Sequence, residues 1–93
     1  MYRTVISCSG VPDAHGTQAA IDIAHEFAES RTWHQNVTCV FNDGRLLLTG
    51  ESDFDPNGLA LSDEFWDCVI AYLVDFEELT FKIESVTEFH PTT

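Results

Sequence analysis

The chain has 93 residues, 44% of them hydrophobic and 12% aromatic, a composition that predicts one folded domain with a single modest core. Sixteen aspartates and glutamates stand against only four lysines and arginines, which gives a net charge of −12. Because phosphate groups are bound through lysine and arginine, this charge excludes nucleic acid and anionic membranes as direct partners. It favours metal cations and basic proteins instead.

The N-terminal region predicts a strand followed by a helix. Residues 3–9 are rich in β-branched side chains and end before Gly10 and Pro12, which is typical of a strand. Apolar residues then recur at helical spacing between Thr17, a candidate N-cap, and Arg31. The predicted buried stripe of this helix consists of Ala20, Ile23, Ala24, Phe27 and Arg31.

Residues 37–50 predict a β-hairpin. Asp43-Gly44 fits the two central positions of a type I′ turn, both of which need a positive φ. That turn sets the register of the two strands. On the more apolar face the predicted pairs are Phe41 with Leu46, Cys39 with Leu48, and Val37 with Gly50.

The C-terminal part predicts a second helix and a last strand. Ser62 is a candidate N-cap for a helix over residues 63–74, and Leu61 and Trp66 have the spacing of a hydrophobic staple. Residues 79–86 alternate between apolar and polar, which is typical of a half-buried strand that reaches Val86 or Phe89. The predicted buried side of the helix consists of Phe65 or Trp66, Val69, Ile70 and Leu73.

The order strand, helix, hairpin, helix, strand predicts an α+β fold. Two helices that cover one face of a four-stranded antiparallel sheet bury these patterns economically, and ferredoxin-like, split βαβ topology is the leading way to connect them. In that topology the segment between the hairpin and the second helix lies near the end of the first helix. We therefore expect Arg31 and His34 to approach the acids of this segment.

That segment has the residue types of a calcium loop. An EF-hand loop takes oxygen ligands from positions 1, 3, 5, 7, 9 and 12 and has glycine at position 6. Counted from Asp53, this chain resembles such a loop over about a dozen residues, with Gly58 at position 6. Pro56, Ala60 and a preceding strand in place of a helix depart from the pattern. Calcium is thus a candidate cofactor, with Asp53, Asp55, Asn57, the Leu59 carbonyl and Glu64 as predicted ligands.

The negative charge is concentrated in the second half of the chain. Residues 1–50 hold five acids and three arginines, a net of −2, whereas residues 51–93 hold eleven acids and one lysine, a net of −10. Trp33 follows the first predicted helix and is a candidate interface residue, since exposed tryptophan favours interfaces. The predicted interaction surface consists of Asp63, Asp67, Asp75, Glu77, Glu78, Glu84, Glu88 and Trp33.

Several functional classes lack their sequence signals. Apolar runs are shorter than the ~20 residues of a membrane helix, and the first residues do not resemble a signal peptide, so we expect a cytoplasmic protein. Cys8, Cys39 and Cys68 are too widely spaced for a zinc or redox motif and are predicted to be buried free thiols. The four histidines lack metal-site spacing, and nucleophile and phosphate-loop motifs are missing. We therefore predict that the protein is not an enzyme.

Three functions are compatible with these features. The first is a small acidic binding module, an inhibitor or decoy whose carboxylates occupy the basic groove of a partner such as a nucleic-acid-handling protein. The second is a calcium-binding module that uses residues 53–64. The third is a salt-adapted domain, with or without homo-oligomerisation, whose acids have no specific partner. We rank the binding module first because it accounts for the largest feature of the chain.

Overall fold

The computed structural model describes residues 1–73 and 78–90, which form four strands and two helices. The strands lie in one antiparallel sheet in the order β2-β3-β1-β4. This order and connectivity confirm the predicted α+β fold with ferredoxin-like, split βαβ topology. In chain order the elements are β1 (Tyr2–Ser9), α1 (Asp13–Ser30), β2 (Gln35–Asn42), β3 (Arg45–Ser52), α2 (Leu59–Tyr72) and β4 (Thr80–Glu88).

One face of the sheet and the inner sides of both helices form the hydrophobic core. Successive side chains of a strand point to opposite faces, so Ile6 and Cys8 share this face with their partners on β3, Leu48 and Leu46. All four side chains are fully buried. We call the other side the open sheet face, because both helices pack on the core side. The helix residues that complete the core are Ala19, Ala20, Ile23, Phe27, Leu61, Phe65, Cys68 and Val69.

The hairpin forms around the predicted turn. Asp43 and Gly44 have φ values of 52° and 75°, as a type I′ turn requires. Phe41 pairs with Leu46 and Cys39 with Leu48, as predicted. The predicted pair of Val37 with Gly50 falls in the interval between Gln35 and Thr38 where the register shifts, so it is not part of the regular ladder. The two residues are nevertheless neighbours, since a Cβ on Gly50 would lie 3.5 Å from a Val37 methyl group. Asn36 in this interval has a φ of 52°, which is consistent with a local irregularity in the strand.

Helix α1 begins four residues before the predicted cap. Pro12, in an extended conformation, precedes the first helical residue Asp13. Proline is tolerated at a helix start because its missing N–H has no acceptor there, and Asp13 suits the positive end of the helix dipole. Thr17 therefore lies inside the helix rather than at its N-cap.

Helix α2 also begins earlier than predicted, at Leu59 rather than Asp63. Gly58 precedes it in the left-handed conformation, with a φ of 74°. The carboxylate of Asp55 accepts hydrogen bonds from the backbone N–H groups of Ala60 and Leu61, both at 3.1 Å. These bonds satisfy N–H groups that lack partners within the first helical turn. Ser62 is consequently a helical residue and not the N-cap, and Val74, the predicted helix end, lies outside the described residues.

Gly16 provides a test of how tightly α1 packs on the hairpin. Helix propensity alone predicts that Gly16→Ala stabilises the protein by about 1 kcal/mol. A Cβ at this buried position would lie 2.2 Å from the Phe41 ring, so the ring or the helix must move. We expect Gly16→Ala to destabilise the protein by about 1–2 kcal/mol, which lowers Tm by roughly 5–10 °C.

The exposed neighbour Thr17 supplies the matched control, since Thr17→Ala adds no atoms to the contact with Phe41. Thermal denaturation followed by circular dichroism measures both variants. A Gly16→Ala protein at least as stable as the wild type would contradict the close packing of α1 against Phe41.

Candidate functional site

The acidic segment between β3 and α2 is built as the start of a helix. Asp55 is 6% exposed and its two carboxylate oxygens are used by the amides of α2. Gly58 lies against β1, where a Cβ would come within 2.8 Å of the Thr4 methyl group. A side chain at this position is therefore excluded both by the positive φ and by the neighbouring strand. Asp53 and Asn57 remain exposed.

Glu64 joins α2 to the end of α1 and to the segment that follows it. Trp33 Nε1 donates a hydrogen bond to Glu64 Oε2 at 3.0 Å, and Arg31 Nη1 donates to Glu64 Oε1 at 3.3 Å. His34 Nε2 also contacts Glu64 Oε2. The predicted approach of Arg31 and His34 to the acids of this region is confirmed, and Glu64 is the acid that they reach. We call these residues the Glu64 cluster: Arg31, Trp33, His34 and Glu64.

The Glu64 cluster is packed between aromatic rings. The His34 side chain is 1% exposed, and its ring lies 5.9 Å from the Phe27 ring and 5.5 Å from the Phe54 ring. Trp33, in contrast, is half exposed. A buried histidine and a partly buried carboxylate cost desolvation free energy, which their mutual contact and the Arg31 guanidinium offset. The hydrogen bond to Glu64 therefore orients the exposed indole of Trp33.

Cys68 lies one turn beyond Glu64 on the same side of α2. Burial raises the pKa of its thiol, and the nearby Arg31 guanidinium opposes this rise only in part. A thiolate is the reactive form of cysteine, so a raised pKa makes Cys68 a poor nucleophile at neutral pH. The pKa values of Cys8 and Cys39 are raised by burial as well, to about 11 and about 12. The prediction of free thiols is confirmed; Cys8 and Cys68 are buried as predicted, whereas Cys39 is only partly buried.

The predicted calcium ligands do not converge on one point. Asp55 binds helix amides, Glu64 binds the three donors of its cluster, and Leu59 is the first residue of α2. Across residues 1–73 and 78–90, no group of three or more histidine, cysteine, aspartate or glutamate side chains is placed to hold a metal ion. Calcium that bound through Glu64 would compete with Arg31, Trp33 and His34 for the same oxygens. Calcium binding stays a prediction.

The basic residues are divided unevenly between the two layers of the fold. Neither α1 nor α2 contains a lysine or an arginine. Three of the four basic residues, Arg3, Arg45 and Lys82, lie on the open sheet face, as the strand registers show. The carboxylates of the two helices, which we call the helix layer, are Asp13, Asp22, Glu26, Glu29, Asp63, Glu64 and Asp67.

On the open sheet face, acids and bases are paired. Glu51 Oε2 accepts a hydrogen bond from Arg3 Nε at 2.8 Å, and Glu51 Oε1 accepts one from Asn36 Nδ2 at 2.7 Å. The hydrogen bonds from Asn36 and Arg3 lower the pKa of Glu51. Lys82 Nζ lies 3.4 Å from Glu84 Oε1. Arg3 and Lys82 are thus paired with carboxylates on this face, whereas the seven carboxylates of the helix layer have no lysine or arginine within the helices themselves.

The predicted interface residues fall into three groups. Asp63 and Asp67 are exposed on α2, and Trp33 is exposed where it binds Glu64 of the same helix. Glu78 and Glu88 are exposed at the two ends of β4, while Glu84 is paired with Lys82. The remaining two, Asp75 and Glu77, lie outside the described residues.

Sequence reasoning missed an exposed apolar stripe on α2. Leu59, Trp66 and Ile70 are 59%, 49% and 46% exposed. The expectation that Ile70 is buried is wrong, and of the alternatives Phe65 and Trp66 it is Phe65 that enters the core. Spacings of four, three and four residues put Leu59, Asp63, Trp66 and Ile70 on one side of the helix. We call these four residues the outward stripe. The sequence did contain a signal for this exposed stripe, because apolar residues occur on every side of α2.

Comparisons of this chain with protein-family models, with curated proteins and with solved structures found no match. Among the described residues, the helices are too short or too polar to cross a membrane. The candidate site therefore rests on the geometry above: a helix layer rich in carboxylates, with the outward stripe of α2 and the indole of Trp33 exposed on it.

We expect Glu64→Ala to destabilise the protein by about 2 kcal/mol, a loss of roughly 10 °C in Tm. The variant leaves the donors of Arg31, Trp33 and His34 without their acceptor. Asp63→Ala, at the exposed neighbouring position, should change stability by less than about 0.5 kcal/mol. Urea denaturation of both variants measures the difference. Equal stability of the two would contradict a structural role for the Glu64 cluster.

The calcium hypothesis is tested on metal-stripped protein at fixed ionic strength, with magnesium as the control cation. Binding to the folded state raises Tm by mass action, so the hypothesis predicts a calcium-selective rise in the wild type. Glu64→Gln should abolish that rise, measured against the metal-free Tm of the variant. An unchanged Tm, or the same rise with magnesium, would contradict calcium binding at residues 53–64.

Proposed function

We propose that this protein is a binding module of the inhibitor or decoy type, which presents a carboxylate-rich surface to a basic partner protein. The observation that carries the proposal is the composition of the helix layer, whose two helices hold carboxylates and no lysine or arginine. A solvated acidic surface would gain from interspersed cations, through helix pairs of opposite charge. Here most of the cations lie on the other face of the molecule.

The absence of lysine and arginine from both helices makes the helix layer the side that faces a basic partner. Carboxylates on one side of a small protein produce a negative potential that accelerates encounter with a positive surface and selects the side that docks. Asp63 and Asp67 are exposed on α2 and lie four residues apart, about 6 Å along the helix axis. Both can therefore reach one contiguous surface on a partner.

The proposed target class is a nucleic-acid-handling protein. Such a protein has a groove lined with lysine and arginine that already accommodates a regular series of negative charges. A compact acidic domain that enters this groove would exclude the nucleic acid by occupying its phosphate contacts. Binding and competition, rather than catalysis, would then be the activity of the protein.

The proposal requires that binding depends on where the carboxylates lie and not only on the net charge of the protein. Asp63→Asn with Asp67→Asn changes the net charge from −12 to −10. Asp43→Asn with Glu84→Gln makes the same change at the hairpin turn and beside Lys82. The probe is an unstructured twenty-residue peptide of alternating lysine and glycine, and its affinity is measured by calorimetry at low salt.

We expect the helix-layer variant to bind the lysine–glycine peptide about fivefold more weakly than the wild type, the effect of losing two exposed ion pairs. The control variant should stay within about twofold, and binding of the wild type should weaken as salt rises. Equal losses in the two variants would contradict the proposal. They would favour a salt-adapted domain, for which stability in molar KCl should then rise steeply.

A further inference from the structure

The outward stripe of α2 carries three apolar side chains that remain about half exposed in the part of the chain that the structure describes. A helix that packs on one side of a sheet normally exposes a polar back. In α2 the core side is complete with Leu61, Phe65 and Val69, yet the opposite side exposes Leu59, Trp66 and Ile70. Trp66 is held in place by the Phe81 ring of β4, with 4.8 Å between the ring centroids. The stripe therefore presents a packed aromatic side chain near its centre, as binding hot spots do.

Carboxylates lie within this stripe and directly beside it. Asp63 lies within it between Leu59 and Trp66, and Asp67 follows Trp66 one position along the helix. Protein interfaces commonly have an apolar centre and a charged rim. A partner that covers Leu59, Trp66 and Ile70 must therefore also bring positive charge to Asp63 and Asp67.

A second copy of the chain does not meet this requirement. Two outward stripes placed face to face would bring Asp63 and Asp67 of both molecules together, and each molecule carries a net charge of −12. The like charges would repel at the site where apolar contact begins. An added strand at the neighbouring sheet edge is also disfavoured. The edge strand β4 has a register shift opposite Val5 and Ile6 and carries the charged Lys82 and Glu84, features that discourage strand pairing.

A helix is the element that fits the stripe. From Leu59 to Ile70 the stripe extends about 16 Å along α2, or three turns. An amphipathic helix of similar length presents apolar residues at the same spacing and packs along such a ridge. We propose that α2 binds a cationic amphipathic helix of the partner protein, whose apolar side covers Leu59, Trp66 and Ile70 and whose lysines or arginines pair with Asp63 and Asp67. This inference rests on the proposed function and specifies the form of the partner.

Two probe peptides test the inference. One is an eighteen-residue leucine–lysine peptide with leucines on one helical side, and the other is a scrambled peptide of the same composition that cannot form an apolar side. Their affinities are measured by calorimetry and by tryptophan fluorescence in a Trp33→Phe background, where Trp66 alone reports. We expect the amphipathic peptide to bind at least tenfold more tightly than the scrambled one and to shift the Trp66 emission to shorter wavelength.

Variants of the outward stripe provide a second test of the inference. Leu59→Ser with Ile70→Ser should weaken binding of the amphipathic peptide at least tenfold. Ile21→Ser, at an exposed apolar position on α1, should change it by less than twofold. All three side chains are about half exposed, so the variants are expected to fold, which circular dichroism checks. Equal affinities for the stripe variant and the wild type would overturn the inference.

The outcomes separate this inference from the proposed function. If the two peptides bind equally but Asp63→Asn with Asp67→Asn weakens both, the acidic surface stands and the helical partner is overturned. If replacing Asp63 and Asp67 by asparagine changes the affinity for neither peptide, the proposed function fails as well. A concentration-dependent dimer in sedimentation that Leu59→Ser with Ile70→Ser dissociates would assign the stripe to a second copy and overturn the proposal.

Discussion

The arrangement of this protein depends on the point where α2 leaves the sheet. Gly58 has the positive φ that turns the chain, and it sits so close to Thr4 that a side chain would not fit. Asp55 then binds the amides of Ala60 and Leu61. Together these contacts fix where the helix begins and hold its first turn against β1. The position of every later residue of α2 follows, since a helix advances 100° per residue.

The start and packing of α2 determine which side chains meet α1 and which meet solvent. Leu61, Phe65 and Val69 enter the core, and Glu64 turns toward the end of α1, where Arg31 and His34 bind it. The remaining side of the helix carries Trp66 and Ile70 outward. The Glu64 cluster and the outward stripe are thus two consequences of one helix geometry. The first stabilises the packing of the helices, and the second leaves a surface available for a partner.

The fold was predictable because its strongest signals are local. Asp43-Gly44 specifies a type I′ turn, which fixed the hairpin register at Phe41 and Cys39. The order of elements then admits few topologies, and the predicted one is observed. The start of α2 was mispredicted because Ser62 and Asp55 are both typical helix-capping residues. Only the three-dimensional structure, in which Asp55 accepts hydrogen bonds from the amides of Ala60 and Leu61, shows which of them acts.

The candidate site was only partly predictable, for two physical reasons. A carboxylate such as Asp55 has the same sequence signature whether it binds a metal ion or a helix terminus, and here it binds backbone amides. An apolar residue is expected in the core by default, so nothing in the sequence distinguished Phe65 from Trp66 or Val69 from Ile70. Exposure of an apolar side chain is a property of the whole fold. It becomes informative only when it forms a continuous stripe, as it does on α2.

The fold also determines where the charged side chains of the protein lie. Along the chain the acids concentrate in the second half, and in the fold three of the four bases lie on the open sheet face while the two helices carry carboxylates and no lysine or arginine. An exposed stripe with tryptophan and isoleucine would favour self-association in a neutral protein. Asp63 and Asp67 beside that stripe, within a molecule of net charge −12, oppose contact between identical copies. The same carboxylates attract a cationic surface. A single arrangement of apolar and acidic side chains therefore disfavours self-association and, under the proposed function, favours a basic partner.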